Sequence, residues 1–294
     1  MKKIVKQTRE IIKQLSTIEE RHLLEFLAVD SGFKDVMRIH ISNNHEYYLL
    51  SEYCLKNNFS IAHSSFKLKL DYSNEIGDRF YKYTDWNDKS SEEYIAYISK
   101  NKIEVLSIAR RIEVDGTHCD AGTLYGYPLC CSNNYNVIAN GEDWINVLSN
   151  NSQGFLFSPL ANKLAYIVHG FTLFPDYFPC SYNCEITAEL GKKYYKIGVK
   201  YGLKNMVDTI LGLMGEVYLV ADKGIFSFPE WNIYKDILSI SVNKISVHGK
   251  NILLNYPKST IELKLPRESS DSLFWEWEGN RFRIFIFSDD KKDS

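Results

Sequence analysis

Five of the six cysteines in this 294-residue chain, Cys119, Cys130, Cys131, Cys180 and Cys184, fall between residues 119 and 184, and the rest of the chain holds Cys54 alone. No other feature constrains the fold as much, because segments dozens of residues apart must meet if these sulfurs act together. Their settings are Thr117-His118-Cys119-Asp120, Gly126-Tyr127-Pro128-Leu129-Cys130-Cys131 and Phe178-Pro179-Cys180-Ser181-Tyr182-Asn183-Cys184-Glu185. The last two hold their thiols beside glycine or proline, residues that turn or stiffen the backbone. Cys54 lies in an apolar run between Tyr53 and Leu55 and reads as a small buried residue.

The N-terminal stretch MKKIVKQTREIIKQL carries charges throughout, where a signal peptide needs an unbroken apolar run, so it reads as an amphipathic helix. No window approaches the ~18 apolar residues of a spanning helix. These features predict a cytoplasmic protein without membrane association. Reducing thiol pools there disfavour structural disulfides, so the cysteines point to a metal, redox or catalytic role. Lys plus Arg numbers 35 against 37 Asp plus Glu, a net charge of −2, which gives no electrostatic support for nucleic-acid binding. A small-molecule substrate and a protein partner both remain compatible with that balance.

If a helix starts after Pro128, Cys130 and Cys131 occupy its first turn. Pro179 and a helical pattern near Cys184 likewise predict a first turn for Cys180 and Cys184. There, free N–H groups and the positive end of the dipole favour thiolate. Four residues apart, Cys180 and Cys184 would share a helix face and could hold one ion or one cluster edge. Consecutive side chains diverge, so the pair Cys130 and Cys131 reaches one small ion only with a distorted backbone, whereas an iron–sulfur cluster is large enough for both. Cys130, Cys131, Cys180 and Cys184 are therefore the expected metal ligands, with an iron–sulfur cluster as the expected cofactor and zinc as the alternative. Cys131 is also a candidate free nucleophile. His118 could ligate or transfer protons, and Glu185 could serve as a general base. His169, closing the apolar run from Tyr166, could equally cap helix carbonyls. Walker A, dinucleotide-binding, nucleophile-elbow and His-Glu-x-x-His motifs are absent from the sequence.

Gly126 to Cys131 and Pro179 to Cys184 together resemble an uncharacterised prokaryotic family with a Gly-Tyr-Pro-x-Cys-Cys segment followed by a Pro-Cys-Ser-x-x-Cys segment. The resemblance covers the middle of the chain and implies that the two segments belong together; it supplies no reaction. The cysteine order is also loosely similar to the CCG modules of heterodisulfide-reductase-type proteins, which hold iron–sulfur clusters. This chain departs from them in lacking a glycine after Cys131 and in having three residues between Cys180 and Cys184.

The pattern as a whole predicts an α+β fold: a mainly helical part over 1–214 containing the cysteines, then an antiparallel β-rich part over 215–294. Helices are expected over 1–30 with a capping box at Ser16 to Glu19, over 45–56, and around 142–149, 158–168 and 185–213. Phe66 to Tyr72 and, more loosely, Ile103 to Val114 read as strands. Ser90-Ser91-Glu92-Glu93 reads as a capping box for a helix through Ile98. After Gly215, short runs beginning at Val217, Ile225, Ile237, Ile245, Ile252, Ile261 and Arg281 read as strands. Two functions follow. One is an enzyme using a cysteine-ligated cluster, metal or reactive thiolates for sulfur-handling, lyase or transfer chemistry on a small molecule. The other is a non-catalytic protein with a structural zinc and a partner-binding β surface.

Overall fold

The computed structural model describes residues 2–15, 22–71, 80–100, 102–139, 143–170, 172–173, 177–221, 224–242, 246–249, 258–266, 272–277 and 280–288. The capping box at Ser16 to Glu19, the strand begun by Ile252 and the tail from Asp289 lie outside these residues. The class is α+β, with ten α-helices and several antiparallel sheets among the described residues. Contacts divide the chain into two compact units, 1–136 with 196–203, and 137–195 with 204–294.

In the first unit the order is α1 (Lys2–Ile12), α2 (His22–Asp30), β1 (Val36–Ile41), α3 (Asn44–Lys56), β2 (Phe59–His63), β3 (Phe66–Asp71), β4 (Phe80–Asp85), β5 (Tyr94–Lys100), α4 (Ile103–Asp115), α5 (His118–Leu124) and the start of α6 (Leu129–Ala139). Strand β5 lies between β1 and β2, antiparallel to both, while β3 and β4 pair separately. Residues 94–100 are thus a central strand, where a helix was expected. Ser91 gives its hydroxyl to the Leu68 carbonyl, and Tyr94, Ile95, Tyr97 and Ile98 are all buried. Aromatic and β-branched residues in succession suit a strand covered on both faces better than a helix. The reverse correction applies to 103–114. Leu106, Ala109 and Glu113 recur at helical spacing on the buried side of α4, and the first two pack with Val36, Phe66, Ile95 and Tyr97.

The second unit contains α7 (Trp144–Asn151), β6 (Leu156–Phe157), a single 3₁₀ turn (Pro159–Ala161), α8 (Leu164–His169), most of α9 (Glu185–Lys200) and α10 (Lys204–Met214). Eight strands follow: β7 (Val217–Ala221), β8 (Gly224–Phe228), β9 (Trp231–Tyr234), β10 (Ile237–Ser241), β11 (Ser246–Gly249), β12 (Thr260–Lys264), β13 (Leu273–Trp277) and β14 (Asn280–Phe287). One sheet runs β11-β8-β7-β14-β13, with β6 added parallel to β14, and the other runs β12-β10-β9. Alternation along β14 sorts its side chains: Phe282, Ile284 and Ile286 enter a core with Leu219, Phe226, Leu238, Ile240 and Trp275. Phe285 and Phe287 point the other way, towards Phe157 and Tyr182. That second aromatic face reaches the cysteine-bearing loop.

Candidate metal centre

The segment carrying Cys130 and Cys131 is set by how α5 ends. Gly126 takes a left-handed φ of 74°, its N–H bonds the Thr123 carbonyl at 3.1 Å, and the Tyr127 N–H reaches back to Gly122 at 2.8 Å. This is a complete Schellman ending, and a residue with a Cβ at Gly126 would cost about 1 kcal/mol. Pro128 then stops one helix and starts the next, its carbonyl accepting from the Ser132 N–H at 2.9 Å. Leu129, Cys130 and Cys131 consequently form the first turn of α6, as the Gly-Tyr-Pro segment predicts. Helix α5 meets α6 closely at Gly122, where a Cβ would fall 2.0 Å from Ser132 Oγ.

Tyr125, the residue before this turn, is anchored from below. Its hydroxyl donates to Glu113 Oε1 at 2.6 Å, and the same carboxylate accepts from Tyr83 at 2.8 Å and Arg38 at 3.1 Å. Burial alone would raise the Glu113 pKa; the Arg38 charge and the tyrosine hydroxyls outweigh it and hold the carboxyl below its usual range. The ammonium of Lys34 stands over the rings of Tyr125 and Tyr127, itself paired with Glu25.

The Cys180 to Cys184 segment departs from expectation. These residues are not in a helix: the Cys184 N–H closes a turn on the Ser181 carbonyl at 3.2 Å, and α9 begins only at Glu185. Cys184 therefore sits just before the helix, its carbonyl accepting from Ala188 at 3.1 Å, and Cys180 lies ahead of the turn. The chain reversal, rather than a shared helix face, relates the two thiols. Neighbouring backbone holds this loop along its length. The Gln153 N–H donates to Asn183 Oδ1 at 2.8 Å while Asn183 Nδ2 donates to the Gln153 carbonyl at 3.1 Å. The Tyr182 N–H donates to Ser152 Oγ at 2.8 Å, and Asn151 Nδ2 donates to the Cys180 carbonyl at 3.1 Å. Tyr182 is 1% exposed among Phe157, Phe285 and Phe287, and Arg283 donates to the Ser149 and Ser152 carbonyls at the end of α7.

The Sγ atoms of Cys130, Cys131, Cys180 and Cys184 all lie within 4.8 Å of one another, an arrangement that could hold a metal ion. Cys130 and Cys131, consecutive in the first turn of α6, have sulfurs 3.8 Å apart. Exposure differs within the group: Cys131 and Cys184 are buried, Cys180 is partly covered and Cys130 is exposed. Among the described residues no histidine or carboxylate joins the four thiols. Glu185 is exposed at the start of α9, and Cys119 lies in the first turn of α5 outside the group. The side chain of His118 lies outside the described residues. His169 ends α8 with its Nε2 2.7 Å from Glu216 Oε2, and Gly170 caps the helix at a φ of 75°. Cys54 is fully buried in α3, and burial pushes its thiol well above the ordinary range.

Asn183, Ser152, Glu113 and Arg283, which hold the cysteine segments in place, escape sequence reasoning. They bond main chain or partners far away in sequence, and only the position of Asn183 between two cysteines could have marked it. In comparisons with known proteins, no family model, curated protein or solved structure matches this chain.

Proposed function

We propose that Cys130, Cys131, Cys180 and Cys184 bind a single tetrahedral zinc ion through four thiolates, and that the protein works through this zinc–thiolate centre. The observation that carries the reading is the spacing of the sulfurs. Zinc–sulfur bonds of ~2.3 Å in a tetrahedron put neighbouring sulfurs about 3.8 Å apart. The Cys130 and Cys131 sulfurs are 3.8 Å apart, and no pair of the four exceeds 4.8 Å. An iron–sulfur cluster, the occupant first expected, inserts several atoms among its ligand sulfurs and asks for a wider set. All-sulfur tetrahedral donors suit zinc among the common divalent ions.

Four protein ligands complete the coordination, so the ion has no open position for Lewis-acid chemistry on a bound substrate. Zinc would hold the two cysteine segments together, the pairing implied by the family resemblance. The Cys180 to Cys184 loop is fixed by bonds that need no metal, which supports a half-site formed in advance.

Metal analysis of protein purified without oxygen tests this reading. Expected is one zinc per chain and a colourless solution, with zinc lost in Cys180→Ser and in Cys184→Ser but kept in Cys54→Ser. Stoichiometric iron with acid-labile sulfide would establish the cluster instead.

A further inference from the structure

The four thiols are not equivalent. Cys131 is 1% exposed and Cys184 7%, whereas Cys130 is exposed and is preceded by Leu129, itself 60% exposed. A zinc-bound sulfur carries no proton and keeps lone pairs, so it remains a nucleophile wherever an electrophile can reach it. Burial removes that reach from Cys131 and Cys184. Resting on the zinc reading, we infer that Cys130 is the reactive ligand of the centre, an acceptor thiolate for small, uncharged, soft electrophiles such as alkyl donors.

The chemistry closes without a further reactant. A lone pair of Cys130 Sγ forms a bond to the electrophilic carbon as the bond from that carbon to its leaving group breaks, and the leaving group departs with the bonding pair. No proton moves and no oxidation state changes. The product is a neutral thioether, a poorer ligand than thiolate, which leaves the ion held by three thiolates and open at its fourth position. The modification thereby changes the centre, as an alkylation sensor or acceptor requires. Selectivity for charge follows from the ion count: a divalent zinc with four thiolates bears two net negative charges, which repel an anionic electrophile and not a neutral one.

The test uses full-length zinc-loaded protein, with zinc measured in the same sample, exposed in parallel to iodoacetamide and to iodoacetate. Timed peptide mass mapping follows each cysteine, and Cys119, outside the centre, provides a reference thiol. The inference predicts carbamidomethylation of Cys130 about tenfold faster than of Cys131, Cys180 or Cys184. It also predicts a larger preference for iodoacetamide over iodoacetate at Cys130 than at Cys119. Equal rates at the four ligands, an unmodified Cys130 in zinc-loaded protein, or no added charge preference there would each overturn it while leaving the zinc reading standing. Protein that retains no zinc overturns both.

Discussion

At the scale of single residues, the cysteines are placed by neighbours that never touch a metal. Asn183 is the clearest, because its amide both accepts from and donates to the backbone of Gln153, thirty positions earlier in the chain. Groups that orient ligands typically account for tenfold to a hundredfold in metal affinity. Asn183→Ala is therefore expected to weaken zinc binding by roughly tenfold or more, measured by competition with a chromophoric chelator, with the circular dichroism spectrum unchanged. Asn183→Asp keeps the acceptor for the Gln153 N–H and loses the donor, so it should fall between the two. An unaltered affinity in Asn183→Ala would show that the loop holds its shape without the clamp. The cysteines were legible in the sequence because thiols so concentrated mark a shared site by their spacing alone. The clamp was not, because an asparagine bonding main chain looks like any polar loop residue until the distant segment lies beside it.

Elements carry the next level, and α4 shows how a buried charge ties one to the cysteine segment. Glu113 joins α4 to β1 through Arg38, to β4 through Tyr83 and to the end of α5 through Tyr125. Its pKa in the folded state lies below the ordinary 4.5, so the stabilisation is complete above that value and is lost as pH falls through the lower, folded-state value. Glu113→Gln should cost about 1–3 kcal/mol at neutral pH in urea unfolding, since it replaces the charge-assisted hydrogen bonds that the buried carboxylate accepts from Arg38, Tyr83 and Tyr125 with weaker neutral ones. The variant should also lose part of the wild type's decline in stability below about pH 4.5. A variant of equal stability whose acid decline matches wild type would remove Glu113 from this role. The two misread elements have one cause. In 94–100 and 103–114 the apolar residues fit both a strand and a helix over a short window, and pairing decided between them. Strands β1 and β2 offered 94–100 partners on both sides, while Leu106 and Ala109 found the sheet's face. By contrast, the first turn of α6 was legible, because Gly126 and Pro128 determine a helix end and a helix start without help from distant chain.

Over the whole molecule the α+β class was readable, and so was most of the strand-rich stretch after Gly215, where alternation along β7 and β14 separates a core face from an aromatic face. Sheet order was not readable, because β14, the last strand, pairs with β7, β13 and β6. Such long-range pairings leave no local mark in the sequence. Their consequence reaches the candidate centre, since Phe285 and Phe287 of β14 pack on Tyr182 between the two cysteines of the loop. Everything proposed for that centre depends on four thiolates, and nothing else, surrounding one ion. X-ray absorption at the zinc edge of the holoprotein measures this directly. A first shell of four sulfurs at ~2.3 Å with no nitrogen or oxygen neighbour is the expected result. A shell containing light-atom ligands, or iron with iron neighbours in place of zinc, would contradict it.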